Sequence, residues 1–172
     1  AEVTVVAGRH TAELPGGAQV VSVETTQEMY DAVMSRIDEN DIFIMAAAPC
    51  DFKPETFSQS KIKEKNLTLR FLANPDIAAA VGKNKGGKYL VVFAAETDNL
   101  IENASKKLIV KNADLCVAND VTKKDAGFDT DTNIVIFVAA SGREQLPLLT
   151  KAEVAKRILD KVLSDTAAKN TD

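Results

Sequence analysis

Short continuous apolar runs alternate with amphipathic stretches along most of this chain. VTVVAG (Val3 to Gly8) is an apolar run closed by glycine and predicts a buried strand. After the loop RHTAELPGG, AQVVSVET (Ala18 to Thr25) predicts a short strand leading into a helix. That helix opens with a capping box, Thr25-x-x-Glu28, and carries Met29, Val33 and Ile37 on one face. Ile42 to Ala46 predicts the next strand. LTLRFL (Leu67 to Leu72) alternates with period two, as a half-exposed antiparallel strand does. In ANPDI, Asn74 is placed as N-cap, Pro75 at the first helical position and Asp76 in the first turn. YLVVFAAET (Tyr89 to Thr97) is the most apolar run and predicts a central strand. Asn99 to Lys111 predicts a helix with Leu100, Ala104, Leu108 and Ile109 facing inward. DLCVAND (Asp114 to Asp120) predicts a buried strand running into a polar, glycine-bearing loop that reaches Thr132. NIVIFVAA (Asn133 to Ala140) predicts a strand, turned at Ser141-Gly142-Arg143. The last helix starts at a second capping box, Thr150-x-x-Glu153, with Val154, Ile158, Val162 and Leu163 as its buried stripe, and its tail from Asp165 frays.

Strands alternating with helices at this spacing predict an α/β fold: a three-layer, Rossmann-like domain with a mainly parallel sheet. With 172 residues and no interior shift in composition, the chain reads as one domain, residues 1–172. Trp is absent while 45% of residues are apolar, so Val, Ile, Leu and Ala must fill the core, as in buried parallel sheets. The net charge of −4 argues against a general binder of nucleic acid or anionic membranes, though a few local lysines suffice for a nucleotide. No apolar run approaches membrane-span length. Cys50 and Cys116 lack metal-ligand spacing and read as free, buried thiols of a reducing cytoplasm.

The chemistry concentrates in IFIMAAAPCDFKPETFSQSK, residues 42–61. Small side chains at a strand's carboxyl end (Ala46 to Ala48) let a ligand lie against backbone, and in open α/β sheets ligands bind at that edge. Asp51 suits a ribose hydroxyl, a base amine or Mg²⁺, and equally a loop carboxylate capping nearby amides. Lys61, in KIKEK, is either a solvated charge or a lysine that folds over a phosphoanhydride. Asn74-Pro75-Asp76-Ile77 reads as a helix start, either no more than that or a place where free amides favour an anion. Lys107 and Lys111 repel mildly across one helical turn, which a shared anion would relieve. The segments Ala118 to Val121 and Gly127 to Asn133 form a polar loop, with Phe128 in it, at the ligand edge. His10 is the sole histidine, and neither GxGxxG nor GxxxxGK[ST] occurs, which disfavours a histidine-based site, an NAD enzyme and a P-loop NTPase.

In order, AAAPCDFKP, KIK, LTLRFLANPDI, FAAETDN, KLIVKNADLCVANDV and GFDTDTN resemble the bacterial phosphopantothenoylcysteine synthetase domain, the ligase half of the bifunctional coenzyme A biosynthesis protein. The resemblance spans essentially the whole chain. It implies joining of 4′-phosphopantothenate to L-cysteine with CTP and Mg²⁺, through an acyl-cytidylate, in the cytoplasm. It implies nucleotide contacts at Met45, Ala46, Ala47, Asp51, Lys61, Pro75, Asp76, Ile77, Ala78, Phe93, Lys107 and Lys111, with Lys61 as the catalytic flap lysine. It also implies a homodimer or higher oligomer paired through an arm at LTLRFL, and a possible fused decarboxylase domain, which alone would carry FMN. Pro49 and Cys50 depart from the small apolar residues usual there, and the linker after KIKEK is short. Val3 to Gly8 matches the family's second strand, so an opening strand–turn–helix unit is expected upstream of Ala1. Rival readings are a non-catalytic nucleotide-binding or dimerisation module and, on the same fold, a nicotinamide-dependent oxidoreductase.

Overall fold

The computed structural model describes residues 1–120 and 131–169, without the Asp120 side chain. In chain order the elements begin with β1 (Thr4–Ala7), β2 (Gln19–Ser22), α1 (Thr26–Met34), β3 (Ile42–Met45), β4 (Phe52–Pro54), β5 (Phe71–Ala73) and α2 (Ile77–Asn84). They continue with β6 (Tyr89–Glu96), α3 (Leu100–Val110), β7 (Leu115–Asp120), β8 (Thr132–Asn133), β9 (Val135–Ala139), β10 (Gly142–Gln145), β11 (Leu149–Thr150) and α4 (Lys151–Lys169). Two compact units result: Ala1–Arg36 with Ala47–Ile77, and Ile37–Ala46 with Ala78–Asp172.

In the first unit β1 and β2 pair in parallel, Thr4 opposite Gln19. The capping box forms as expected. The Thr25 hydroxyl accepts from the Glu28 N–H at 3.1 Å, and the Glu28 carboxylate accepts from the Thr25 N–H at 3.1 Å. Met29 and Val33 are buried, but α1 ends at Met34, so Ile37 falls beyond the helix. The segment LTLRFL contributes only Phe71 and Leu72 to a strand, β5, which pairs antiparallel with β4 (Phe52 opposite Ala73, Pro54 opposite Phe71). Every residue from 51 to 73 is exposed, so neither parity of that alternating run faces a core.

The second unit holds a mixed sheet of five strands in the order β10-β9-β7-β6-β3. β3, β6 and β7 run parallel, and β9 and β10 join antiparallel. The expected central strand, β6, is interior and its first four residues are buried, but β7 is the middle strand because β9 and β10 extend the sheet beyond it. Tyr89, Val91, Leu115, Val117, Val135 and Phe137 form a core with Val154, Ile158 and Val162 of α4. Residues of the other parity, Leu90, Val92, Ala94, Cys116 and Ala118, are buried on the opposite face, where α3 lies with its buried Ala104. This gives helix, sheet and helix layers. Val is the commonest residue of the α4 face and Ala of the α3 face, in keeping with a core filled by Val, Ile, Leu and Ala.

Two side chains assigned inward face out: Ile109 is 78% exposed and Leu163 63%. Helix α4 also runs through Asp165 to Lys169 instead of fraying there. Its end is tied down: the Tyr89 hydroxyl donates to Asp165 at 2.6 Å, and Lys169 donates to Asp114 at 2.8 Å. No helix among the described residues is long and apolar enough to cross a membrane.

Candidate functional site

Residues 47–51 and 74–77 meet in the first unit. The Asn74 N–H donates to the Asp51 carbonyl at 2.8 Å, and the Asn74 side-chain amide donates to the Cys50 carbonyl at 2.9 Å. The first bond continues the β4–β5 ladder past Ala73, and the second ties the Asn74 side chain to the preceding loop. They use Asn74 to close a loop, so it does not cap a helix, and α2 begins only at Ile77. Pro75 and Asp76 therefore precede the helix, which starts two residues later than the sequence placed it. The effect is to hold the Ala47–Asp51 loop beside Pro75, Asp76 and Ile77, with Asp51 exposed and Ile77 buried. Lys61 lies in the same unit, exposed, between β4 and β5. Cys50 is exposed in this loop, against the expectation of a buried thiol.

In the second unit, β3, β6 and β7 bring their carboxyl ends to one edge of the sheet. Met45 ends β3, with Ala46 beyond it, and Glu96 ends β6. Helix α3 follows β6 and returns antiparallel to the strands, so its start lies at that edge. Lys107 lies in the last turn of α3 and Lys111 is its C-cap, so both sit towards the end of the helix away from that edge. Both lysines are half-buried on the α3 side of the sheet. Phe93 sits on the other face, packed against the α4 core with Tyr89 and Val91. The structure thus brings Lys107 and Lys111 together and sets Phe93 on the opposite face of the same sheet. Ala78 lies in the first turn of α2.

Helix α2 packs tightly on the end of α3. A Cβ at Gly82 would fall 1.7 Å from the Lys111 carbonyl oxygen, and the Asn112 amide donates to the Gly82 carbonyl at 2.8 Å. Glycine at position 82 thereby fixes where the Lys111 turn lies.

Three features of the electrostatics escaped the sequence reading. Burial pushes the Cys116 thiol up to about 11, while Lys107 draws it down and Glu96 adds to the rise. Both charged groups therefore act on one point of the α3 face. Glu96 is half-buried and accepts from the Asn103 amide at 2.9 Å. At the opposite edge, Asp114 pairs with Lys85, bonds the Leu90 N–H at 2.8 Å and bonds Lys169. Burial alone would raise the Asp114 pKa, but hydrogen bonds from Lys169, Lys85 and the Leu90 amide outweigh it and lower it. A carboxylate closing the apolar YLVVFAAE run was the signal that could have found Glu96. Asn103, seven residues on, carried no such mark. Phe128 and residues 121–130 of the polar loop lie outside the described residues. Ala118 and Asn119 belong to β7, and Thr132 and Asn133 form β8. Among the described residues no group of three or more His, Cys, Asp or Glu could hold a metal ion.

The family of the DNA/pantothenate metabolism flavoprotein C-terminal domain matches residues 1–166. The chain belongs to this family. The coenzyme A biosynthesis bifunctional protein CoaBC of Bacillus subtilis is 39% identical over 166 residues, covering 94% of this chain and 41% of that protein. A cysteine/cysteine sulfinic acid decarboxylase of an unknown prokaryotic organism is 40% identical over 169 residues, covering 95% of this chain and 47% of that protein. Among solved structures, the C-terminal domain of a CoaBC protein superposes with a TM-score of 0.80 at 33% identity, over 99% of this chain and 76% of that one. The chain spans less than half the length of these two curated relatives. Its fold is the α/β fold of this domain family.

Proposed function

We infer that residues 1–172 form a CTP-dependent phosphopantothenate–cysteine ligase domain acting in coenzyme A biosynthesis. The observation that carries this is the match of the family over residues 1–166, with the ordered motifs at strand and helix ends. CoaBC proteins that share this segment support a fused decarboxylase domain as neighbour in the same polypeptide, and FMN would belong there. In the first half-reaction the 4′-phosphopantothenate carboxylate oxygen attacks the α-phosphorus of CTP. The bond to the β-phosphate bridging oxygen breaks, giving acyl-cytidylate and pyrophosphate. In the second, the L-cysteine amine forms a bond to the acyl carbon, CMP leaves with the electron pair of the carbon–oxygen bond, and the amine loses a proton.

Lys107 and Lys111 serve the triphosphate as cations on one helix face, and the exposed Lys61 serves as the flap lysine. Met45 to Ala47, Asp51 and Pro75 to Ala78 serve as largely backbone and carboxylate contacts for the nucleotide, with Phe93 supporting from within β6. Mg²⁺ arrives with the nucleotide, held by phosphates and at most a carboxylate or two. The exposed aromatics Phe52 (62%) and Phe71 (56%) on the β4–β5 arm support pairing with a second copy.

The test is pyrophosphate release on mixing CTP, Mg²⁺ and 4′-phosphopantothenate with the polypeptide as its gene encodes it, flanking residues included. CTP-dependent release, followed by amide formation when L-cysteine is added, is expected. Absence of release with both CTP and ATP would overturn the reading.

A further inference from the structure

We propose that Glu96, held in place by Asn103, receives the ammonium group of the amino-acid substrate; this rests on the ligase reading above. Glu96 is the last residue of β6, at the carboxyl-end edge of the parallel strands. It continues the series Leu90, Val92 and Ala94, so it faces the α3 side, where Lys107 also acts. Its orientation is fixed through a neutral donor. The Asn103 amide donates to the Glu96 carboxylate at 2.9 Å and to the Asp98 carbonyl at 3.3 Å. The Asn103 backbone N–H donates to the Asn99 carbonyl at 2.9 Å, which seats it in the first turn of α3. Among the described residues Glu96 forms no ion pair, so its charge is oriented without being cancelled.

A carboxylate there works against a polyphosphate and calls for a positive ligand group. Besides the Mg²⁺ that arrives with the nucleotide, an amide-forming ligase has one such ligand. Its amine substrate is an ammonium ion at neutral pH, and a charge-assisted hydrogen bond to a half-buried carboxylate is the strong way to hold it. Lys107, on the same face of the sheet, then serves the anionic substrate and Glu96 the cationic one. Glu96 is thus a substrate-binding residue and Asn103 a positioning residue.

The proposal is tested by steady-state kinetics of the whole polypeptide with L-cysteine and CTP varied separately. Glu96→Gln is expected to raise KM for L-cysteine about tenfold or more, while KM for CTP moves less than twofold. Asn103→Ala should raise KM for L-cysteine by a smaller factor, and Glu96→Asp should recover part of the loss. Should Glu96→Gln fail to fold, judged by circular dichroism, the Asn103→Ala and Glu96→Asp pair decides alone. An unchanged KM for L-cysteine, or a rise shared equally by CTP or by the Mg²⁺ requirement, overturns the assignment. Absence of pyrophosphate release from the unaltered protein would instead overturn the ligase reading itself.

Discussion

Cys50 and Cys116 are both free thiols, and their environments separate them. Cys50 is exposed in the Ala47–Asp51 loop. Cys116 is buried on β7, where burial holds its thiol at a pKa of about 11 and leaves almost no thiolate at neutral pH. A thiol reagent should therefore modify Cys50 within minutes and Cys116 only on unfolding; rapid double modification in native buffer, read by intact mass, would contradict this arrangement. Lys107 forms no ion pair among the described residues and sits half-buried on the α3 face. Removing a cation from a polyphosphate contact costs about 1.5–3 kcal/mol when the bond is charge-assisted. Lys107→Ala should raise KM for CTP by about tenfold to a hundredfold, and an unaltered KM for CTP would remove Lys107 from the nucleotide site. Asp114 contributes to the pH dependence of stability. Its folded pKa is lowered, so its contribution is complete above the unfolded value of about 4 and is lost as pH falls through the folded value. Asp114→Asn leaves Lys85, only 8% exposed at its side chain, without its buried counter-charge. That should cost about 3 kcal/mol at neutral pH and flatten the acid limb of stability below pH ~4, both measurable by urea titration.

At the level of elements, the approach of α2 to α3 is the most sharply constrained packing. Gly82→Ala would place a methyl 1.7 Å from the Lys111 carbonyl oxygen, a backbone atom that cannot swing aside. The helices must separate, at a cost of about 1–3 kcal/mol, and the Lys107–Lys111 face moves with them. Loss of stability in denaturant together with weakened CTP binding is the expected pair of effects, and full stability in Gly82→Ala would refute the contact. Which elements the sequence disclosed follows from the range of the interactions that make them. Both capping boxes, Thr25–Glu28 and Thr150–Glu153, close within one turn, so four residues contain all their chemistry. Leu163 and Ile109 continue apolar helical patterns, yet which flank of a helix meets the sheet depends on its rotation, which no local spacing records. Asn74 looked like a cap because its alternative partner, the Cys50 carbonyl, lies 24 residues away in sequence. Phe93 is the instructive case for the site. β6 is buried on both faces, so its residues do not alternate in polarity, and nothing in YLVVFAAE tells which side chains share a face with Lys107.

Across the molecule, the open strand edges set the remaining expectation. Among the described residues β3 is bonded only to β6, and its Ile42 and Ile44 are 39% and 42% exposed. In the other unit β1 is bonded, among the described residues, only to β2, and Val3 before it is 53% exposed. Parallel strands are normally covered on both sides, and an apolar edge left open invites pairing with another strand. A parallel strand supplied by flanking residues would satisfy the free N–H and C=O groups of such an edge and cover its isoleucines. Hydrogen exchange separates the cases because it reads each backbone amide. In a polypeptide extended upstream of Ala1, the amides of Ile42 to Met45 should be protected nearly as well as those of β6, and unfolding should require more denaturant than for residues 1–172 alone. The gain is about several kcal/mol, the order set by hydrogen-bonding groups and apolar surface taken out of water. Equal protection of β3 in the two polypeptides, with residues 1–172 folded and monomeric as a single species by mass, would mean that these edges need no further strand.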